Sequence, residues 1–193
     1  MLTSSPPPPE ITATLDRGER VIWSGQPRQG LALRGIDAFG IPFALFWTSV
    51  PLIGAMASLT GPKSNPFALL PTIPFILIGL YLLIGRFFVD AAQRRRTFYA
   101  LTNERILIVS GLLSRDIRSL LLRTLDQVDV SSRASGRGTI LFGRSLYGSF
   151  ALPGWPGMKS YLPPMFEMIP DAAEVAKLIR DAQRAATAPA ERA

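Results

Sequence analysis

Two long stretches without a charged residue dominate the pattern of this chain: residues 39–59, FGIPFALFWTSVPLIGAMASL, and residues 66–85, PFALLPTIPFILIGLYLLIG. Each has about the 20 residues that a helix needs to cross a hydrocarbon core. Neither keeps the polar face expected of a helix on the surface of a soluble domain. The pattern therefore predicts a membrane protein with two transmembrane α-helices, at residues 38–59 and 66–89. They form a helical hairpin joined by an outside loop at residues 60–65. Pro42, Pro51, Pro71 and Pro74 fall within these runs, where neighbouring helices can satisfy the carbonyls that proline frees. Gly54 and Ser58, four apart on one helical face, are expected to seat the partner helix.

After residue 96 the rhythm changes to short β-branched segments separated by turns. TFYALT and RILIVS read as a hairpin closed by Asn103 and Glu104, with Asn103 suited to a positive φ in the turn. DIRSLLL, DQVDVSS, TILFG and MFEMI supply further strands, with one more short strand at residues 149–152. A last helix is predicted from about residue 171 to 184. Its apolar stripe is Val175, Leu178, Ile179 and Ala182, and Asp171 and Glu174 have the spacing of a capping box. Strands followed by one amphipathic helix predict a bent sheet or β-barrel over residues 96–185 with a C-terminal capping helix. Residues 1–15, rich in proline, read as a disordered lead and not as a secretory signal. Residues 16–37 read as a cytoplasmic pre-membrane segment, and residues 186–193 as a frayed tail.

Charge orients this arrangement. Arg17, Arg20, Arg28 and Arg34 precede the first run, and Arg86, Arg94, Arg95 and Arg96 follow the second, whereas the connecting loop carries one lysine. The positive-inside bias puts both termini in the cytoplasm. The net charge of +7 favours an anionic neighbour, nucleic acid or a membrane face. The arginines are scattered over strands with no recognition-helix pattern, which disfavours nucleic acid.

Composition also narrows the chemistry. The chain has no cysteine and no histidine, so thiolate sites and a cysteine nucleophile are excluded, and the commonest general base is missing. Asp126 and Asp129 lie three apart on a strand and point to opposite faces, so they do not read as a catalytic pair. Gly136, Gly138 and Gly143 precede a strand and lack the G-K-[ST] ending of a phosphate loop. No catalytic residue, metal ligand or cofactor site is expected, and the chain does not read as an enzyme. Arg86, Arg94, Arg95 and Arg96 are candidates for facing anionic lipid head groups, although topology alone also accounts for them. Trp155, in the Gly/Pro-rich segment at residues 144–164, is a candidate partner-docking or interfacial residue; a tryptophan folded back onto the barrel is the plainer alternative.

The stretch Y-A-L-T-N-E-R-I-L-I-V-S-G, the later G-x-G-T-I-x-F-G, and G-E-R-V-I-W-S-G-Q-P ahead of the apolar runs together resemble the bacterial membrane-anchored pleckstrin-homology-like (PH) family. The order of parts is similar throughout. The resemblance implies a PH-type barrel in an integral protein of the bacterial inner (cytoplasmic) membrane, multi-pass, with membrane or partner scaffolding as the usual supposition. It makes Trp23, Gly25, Pro27, Tyr99, Leu101, Thr102, Asn103, Arg105, Gly138 and Thr139 structural motif residues. Phosphoinositide-binding members of the wider superfamily carry basic residues in an extended first loop. Here that loop is Thr-Asn-Glu-Arg, which counts against inositol-phosphate binding. The expected function is to recruit or scaffold an unknown protein partner at the cytoplasmic face, with oligomers an open matter. The alternative is a lipid-sensing module reading anionic head groups through a basic face.

Overall fold

The computed structural model describes residues 7–60, 66–111, 115–132, 136–143 and 162–187. They form two compact units: one built from residues up to Gly30 and from Ala91 onward, the other from Leu31–Asp90.

The second unit holds the two apolar runs. Helix α2 spans Asp37–Thr60. After a 3-10 turn at Pro66–Leu69, a second continuous helix covers Ile73–Arg95. It consists of α3 (Ile73–Leu80), a π-turn at Tyr81–Gly85 and α4 (Arg86–Arg95). Both helices are long and apolar enough to cross a membrane. The second regular helix starts at residue 73 and not at 66, with Thr72 as its N-cap and proline in its first turn. Pro71 and Pro74 explain the delay, because proline disfavours helical geometry in the residue before it and is accommodated in a first turn.

The helices meet through small residues, but not the expected ones. Ala44 and Ala55 are buried on α2, and a Cβ at Gly79 would overlap the Thr48 side chain. Gly54 has open space around it, so the Gly54/Ser58 face is not the seam. Periodicity alone could not choose between two small-residue faces on the same helix.

In the first unit, the described residues include seven strands in two antiparallel sheets. One has the order β1-β2-β3-β4 and the other β5-β6-β7. The strands are β1 (Val21–Gly25), β2 (Phe98–Thr102), β3 (Arg105–Ser110), β4 (Asp116–Leu121), β5 (Val128–Ser132), β6 (Gly138–Phe142) and β7 (Met165–Ile169). Among the described residues no ladder joins the sheets and no barrel is closed: the expected bent sheet or barrel is a pair of packed sheets. Between them lies a core of Trp23, Tyr99, Leu101, Ile106, Ile108, Phe142 and Phe166. Helix α5 (Ala172–Thr187) covers this core with Val175, Ala176 and Ile179, close to the predicted stripe. Asp171 takes φ +48° and its carbonyl accepts the N–H of Val175. The helix therefore starts from a left-handed residue and not from the extended N-cap typical of a capping box.

Two features of this unit were invisible in the pattern. Strand β1 comes from the segment read as pre-membrane, and it pairs with β2 through Trp23↔Leu101 and Ser24↔Ala100. The sheet thus begins before the apolar runs and resumes after them. Within the proline-rich lead, Pro9–Thr12 forms a helical turn, α1. Its Ile11 is fully buried against Ala100, Leu107 and Val109 on the outer face of the first sheet. Proline suits the first turn of a helix, and Leu15 packs against the same cluster.

Candidate functional site

The best-defined polar constellation joins two of the quoted motifs. Glu19, from G-E-R, is buried beneath the β2–β3 turn. Arg105 Nε donates to Glu19 Oε1 at 2.9 Å and Nη2 to Oε2 at 2.8 Å, the two-point geometry that suits a guanidinium. Arg105 Nη2 also reaches Asp16 Oδ2 at 2.8 Å and the Thr14 carbonyl at 3.1 Å. Thr102 Oγ1 lies 2.7 Å from Glu19 Oε1 and accepts the N–H groups of Glu104 and Arg105 at 3.2 and 3.0 Å. The Asp16 N–H donates to Glu19 Oε2 at 2.8 Å. Burial pushes the Glu19 carboxyl up, but the hydrogen bonds from Arg105, Asp16 and Thr102 outweigh it and hold the group at about 2. Arg105 is raised by its hydrogen bond to Glu19.

Asn103 serves this junction differently from the expectation. It does not take a positive φ. Its Oδ1 instead accepts the Arg20 N–H at 2.7 Å, and its own N–H donates to the Arg20 carbonyl at 3.1 Å. The motif T-N-E-R is thus a socket for residues 14–20. Because Arg105 is committed to two carboxylates and a carbonyl, its guanidinium is not presented to an outside phosphate. Glu19 was within the quoted G-E-R box but was not singled out. Its signal was a carboxylate in a motif otherwise made of turn and strand residues.

The remaining motif residues build the core. The Trp23 ring lies over Gly25, where a Cβ would come within 2.5 Å of Trp23 Cζ2; two apart on a strand, the two share a face. Phe166 ties the sheets together, with ring centroids 5.5 Å from Trp23, 4.7 Å from Tyr99 and 4.9 Å from Phe142. Leu101 is fully buried in this core. Tyr99 Oη accepts the Glu167 N–H at 3.2 Å and Thr139 Oγ1 the Met168 N–H at 3.3 Å. Gly138 is needed for close approach, since a Cβ there would meet the Ser131 carbonyl at 2.5 Å and the Ala172 Cβ at 2.8 Å. The Pro27 carbonyl accepts from the Gln29 side chain at 2.8 Å.

The four arginines expected to face lipid divide into two pairs. Arg86 is buried and ion-paired with Asp37 at 2.8 Å. Arg94 is buried too, and donates to the carbonyls of Arg28 and Gly30 at 2.6 and 2.8 Å. These two are therefore spent inside the protein and are corrected from the lipid-facing set. Charge position in the sequence cannot reveal such internal partners. Arg95 and Arg96 are exposed, as is Arg28, whose backbone Arg94 grips. Trp155 and the strand expected at residues 149–152 lie outside the described residues.

The first sheet ends in β4, whose outer edge has no strand partner among the described residues. It carries Ile117 and Leu121, 43% and 54% exposed. They share a face with Val109 and Arg105 by register. Asp126 and Asp129 are both exposed, and Asp129 accepts from the Gln127 side chain at 3.1 Å. Among the described residues no group of three or more carboxylates comes together to hold a metal ion.

Residues 48–183 match the family model described as "Bacterial PH domain". The match begins inside α2 and so leaves out β1, the strand that starts the sheet. No curated protein and no solved structure matches the chain.

Proposed function

Since the chain belongs to the bacterial PH-domain family, whose fold serves in general as a protein- or lipid-binding module, we propose that it is anchored by two membrane spans and recruits a partner protein at the cytoplasmic face. The observation that carries this reading is the pairing of β1 with β2. These strands flank the apolar hairpin, and a sheet built from both requires the chain to leave and return on one side of the bilayer. An even number of spans meets that requirement, and the arginine excess on both flanks supports the cytoplasm as that side. Anchoring raises the effective concentration of the module toward other proteins at the same surface.

The β4 edge, which has no strand partner among the described residues and carries Ile117 and Leu121, is the surface best suited to a partner, since a strand edge offers main-chain hydrogen bonds and apolar contacts together. The full-length chain carrying a photo-crosslinking residue at position 117 should give a discrete protein adduct in intact cells. The same probe at Lys177, exposed on α5, should not. Identical adducts at both positions, or none at 117, would refute the β4 surface.

The exposed Arg95 and Arg96, with Arg28, support a second reading in which the module senses anionic head groups. It predicts that reversing Arg95 and Arg96 to glutamate abolishes a salt-sensitive preference of the reconstituted chain for anionic over neutral vesicle surfaces. Equal behaviour of the two proteins removes this reading and leaves the first intact.

A further inference from the structure

The apolar surface of α2 and the second helix stops at one layer of charge. Asp37 opens α2, and its Oδ1 lies 2.8 Å from Arg86 Nη2, with only 8% and 7% of the respective side chains exposed. Beside it, Arg34 Nη2 lies 3.1 Å from Asp90 Oδ1, and the Arg34 N–H donates to Asp37 Oδ2 at 2.6 Å. The Arg86 guanidinium stacks on the Phe87 ring, 4.6 Å from its centroid. It also fills the space that a side chain at Gly40 would need, 3.3 Å from a Cβ placed there. Two positive and two negative groups therefore meet as a compact, neutral layer.

Beyond that layer no charged residue occurs from Ala38 to Pro62 or from Ser64 to Gly85. Large apolar side chains such as Phe46, Ile53, Leu77 and Ile84 point away from the protein along both helices. A hydrocarbon core takes about 20 helical residues. Counted forward from Asp37 that length reaches Ala57 within α2; counted back from Arg86 it reaches Pro66, with continuous helix from Ile73 to Gly85 and a 3-10 turn at Pro66–Leu69 ahead of it. A bare charge in hydrocarbon is costly, whereas a paired one at its edge is tolerated.

Building on the two-span reading, we propose that the Asp37–Arg86 and Arg34–Asp90 pairs mark the cytoplasmic edge of the hydrocarbon layer and lock the register of the two helices at it. The lipid-facing surface is the apolar belt above the pairs, and its partner is the acyl-chain region of the bilayer. The second span then ends at Gly85, four residues before the limit of 89 expected from sequence, and α4 runs outside the hydrocarbon. Arg86 is part of the lock and does not contact head groups.

The absence of cysteine makes the boundary directly readable in the full-length chain. Ile84 and Phe88 are 52% and 61% exposed on the protein, so any difference between them reports the bilayer. In membranes open on the cytoplasmic side, Phe88→Cys should react with an impermeant maleimide, and Ile84→Cys should react only after detergent is added. If Phe88→Cys is protected like Ile84→Cys and labelling begins only at Arg95→Cys, the boundary proposal is overturned while the two spans stand. If Ile84→Cys labels as fast as Phe88→Cys without detergent, the spans themselves are refuted. The lock has its own readout. Asp37→Arg and Arg86→Asp should each lower the amount of chain recovered in membranes, and the double exchange should restore it. A double variant as poor as the single ones overturns the lock.

Discussion

Glu19 and Arg105 grip each other across 86 residues of chain, carboxylate to guanidinium through two hydrogen bonds of 2.9 and 2.8 Å. Both apolar helices lie between them in sequence, so this pair fastens the first strand of the sheet to the hairpin formed by the next two. Removing one partner of a buried ion pair costs roughly 3–5 kcal/mol. Because Arg105 is partly open to solvent, Arg105→Met should lie near the lower figure. Replacing both residues, Glu19→Met with Arg105→Met, should be the milder change, because no charge is left stranded. Thermal unfolding of the solubilised chain, followed by circular dichroism, checks the order of the two variants.

The same pair sets a pH dependence. The Glu19 carboxyl is depressed from 4.5 to about 2 in the folded chain. A depressed carboxylate contributes stability that is present above its unfolded value and is lost as pH falls through the folded one. Melting temperature should therefore decline between about pH 4.5 and 2 through this group, while near neutrality its stabilisation is complete and independent of pH. Glu19→Gln should have a lower melting temperature at pH 7 and a shallower decline on acidification. An unchanged acid slope would show that the carboxylate is not held as described.

Two glycines make opposite predictions. At Gly138 an added Cβ meets backbone and a short helix side chain at 2.5 and 2.8 Å, neither of which can swing away. Gly138→Ala should destabilise the chain by about 1–3 kcal/mol, the usual range for overpacking. Gly54→Ala enters open space within a helix and should be neutral or slightly stabilising. Parallel melts of the two variants test both.

Ile11 lies in a segment whose composition reads as disorder, yet it is fully buried on the outer face of β2 and β3. Ile11→Ala should cost about 2–4 kcal/mol, as for other large-to-small core changes. Proteolysis of the variant should open the chain between residues 7 and 16, where the wild-type chain resists cleavage.

Because β1 and β2 belong to one sheet, the apolar hairpin is an insertion within a domain. Arg94 Nη2 lies 2.8 Å from the Gly30 carbonyl, so the two ends of the domain meet. Joining residue 30 to residue 91 through a short glycine–serine linker should yield a soluble domain that keeps its strand content by circular dichroism. Starting the chain at residue 96 should instead give an unstable product, since it lacks β1, α1 and Glu19.

The strands from Phe98 to Ile169 and helix α5 were legible because each is a local pattern: β-branched alternation, turn residues, a stripe at helical spacing. The apolar runs were equally plain, since length without charge is a one-dimensional property. Strand β1 was not, because V-I-W-S-G is short and becomes a strand only when β2 is there to pair with it. The roles of Arg86 and Arg94 were hidden for a related reason. A basic residue after an apolar run reads as a topology signal, and only its partners, Asp37 in one case and two carbonyls in the other, reveal a buried bolt.

The linear order of residues thus determined the strands that follow the hairpin, the apolar helices and the basic flanks, since these follow from side-chain type and spacing along the chain. Tertiary structure alone decided that the sheet starts ahead of the hairpin, that Ala44, Thr48 and Gly79 and not Gly54 form the helix seam, and that Glu19 meets Arg105. Those outcomes depend on which distant groups come within hydrogen-bonding or van der Waals reach, and sequence spacing carries no such distance.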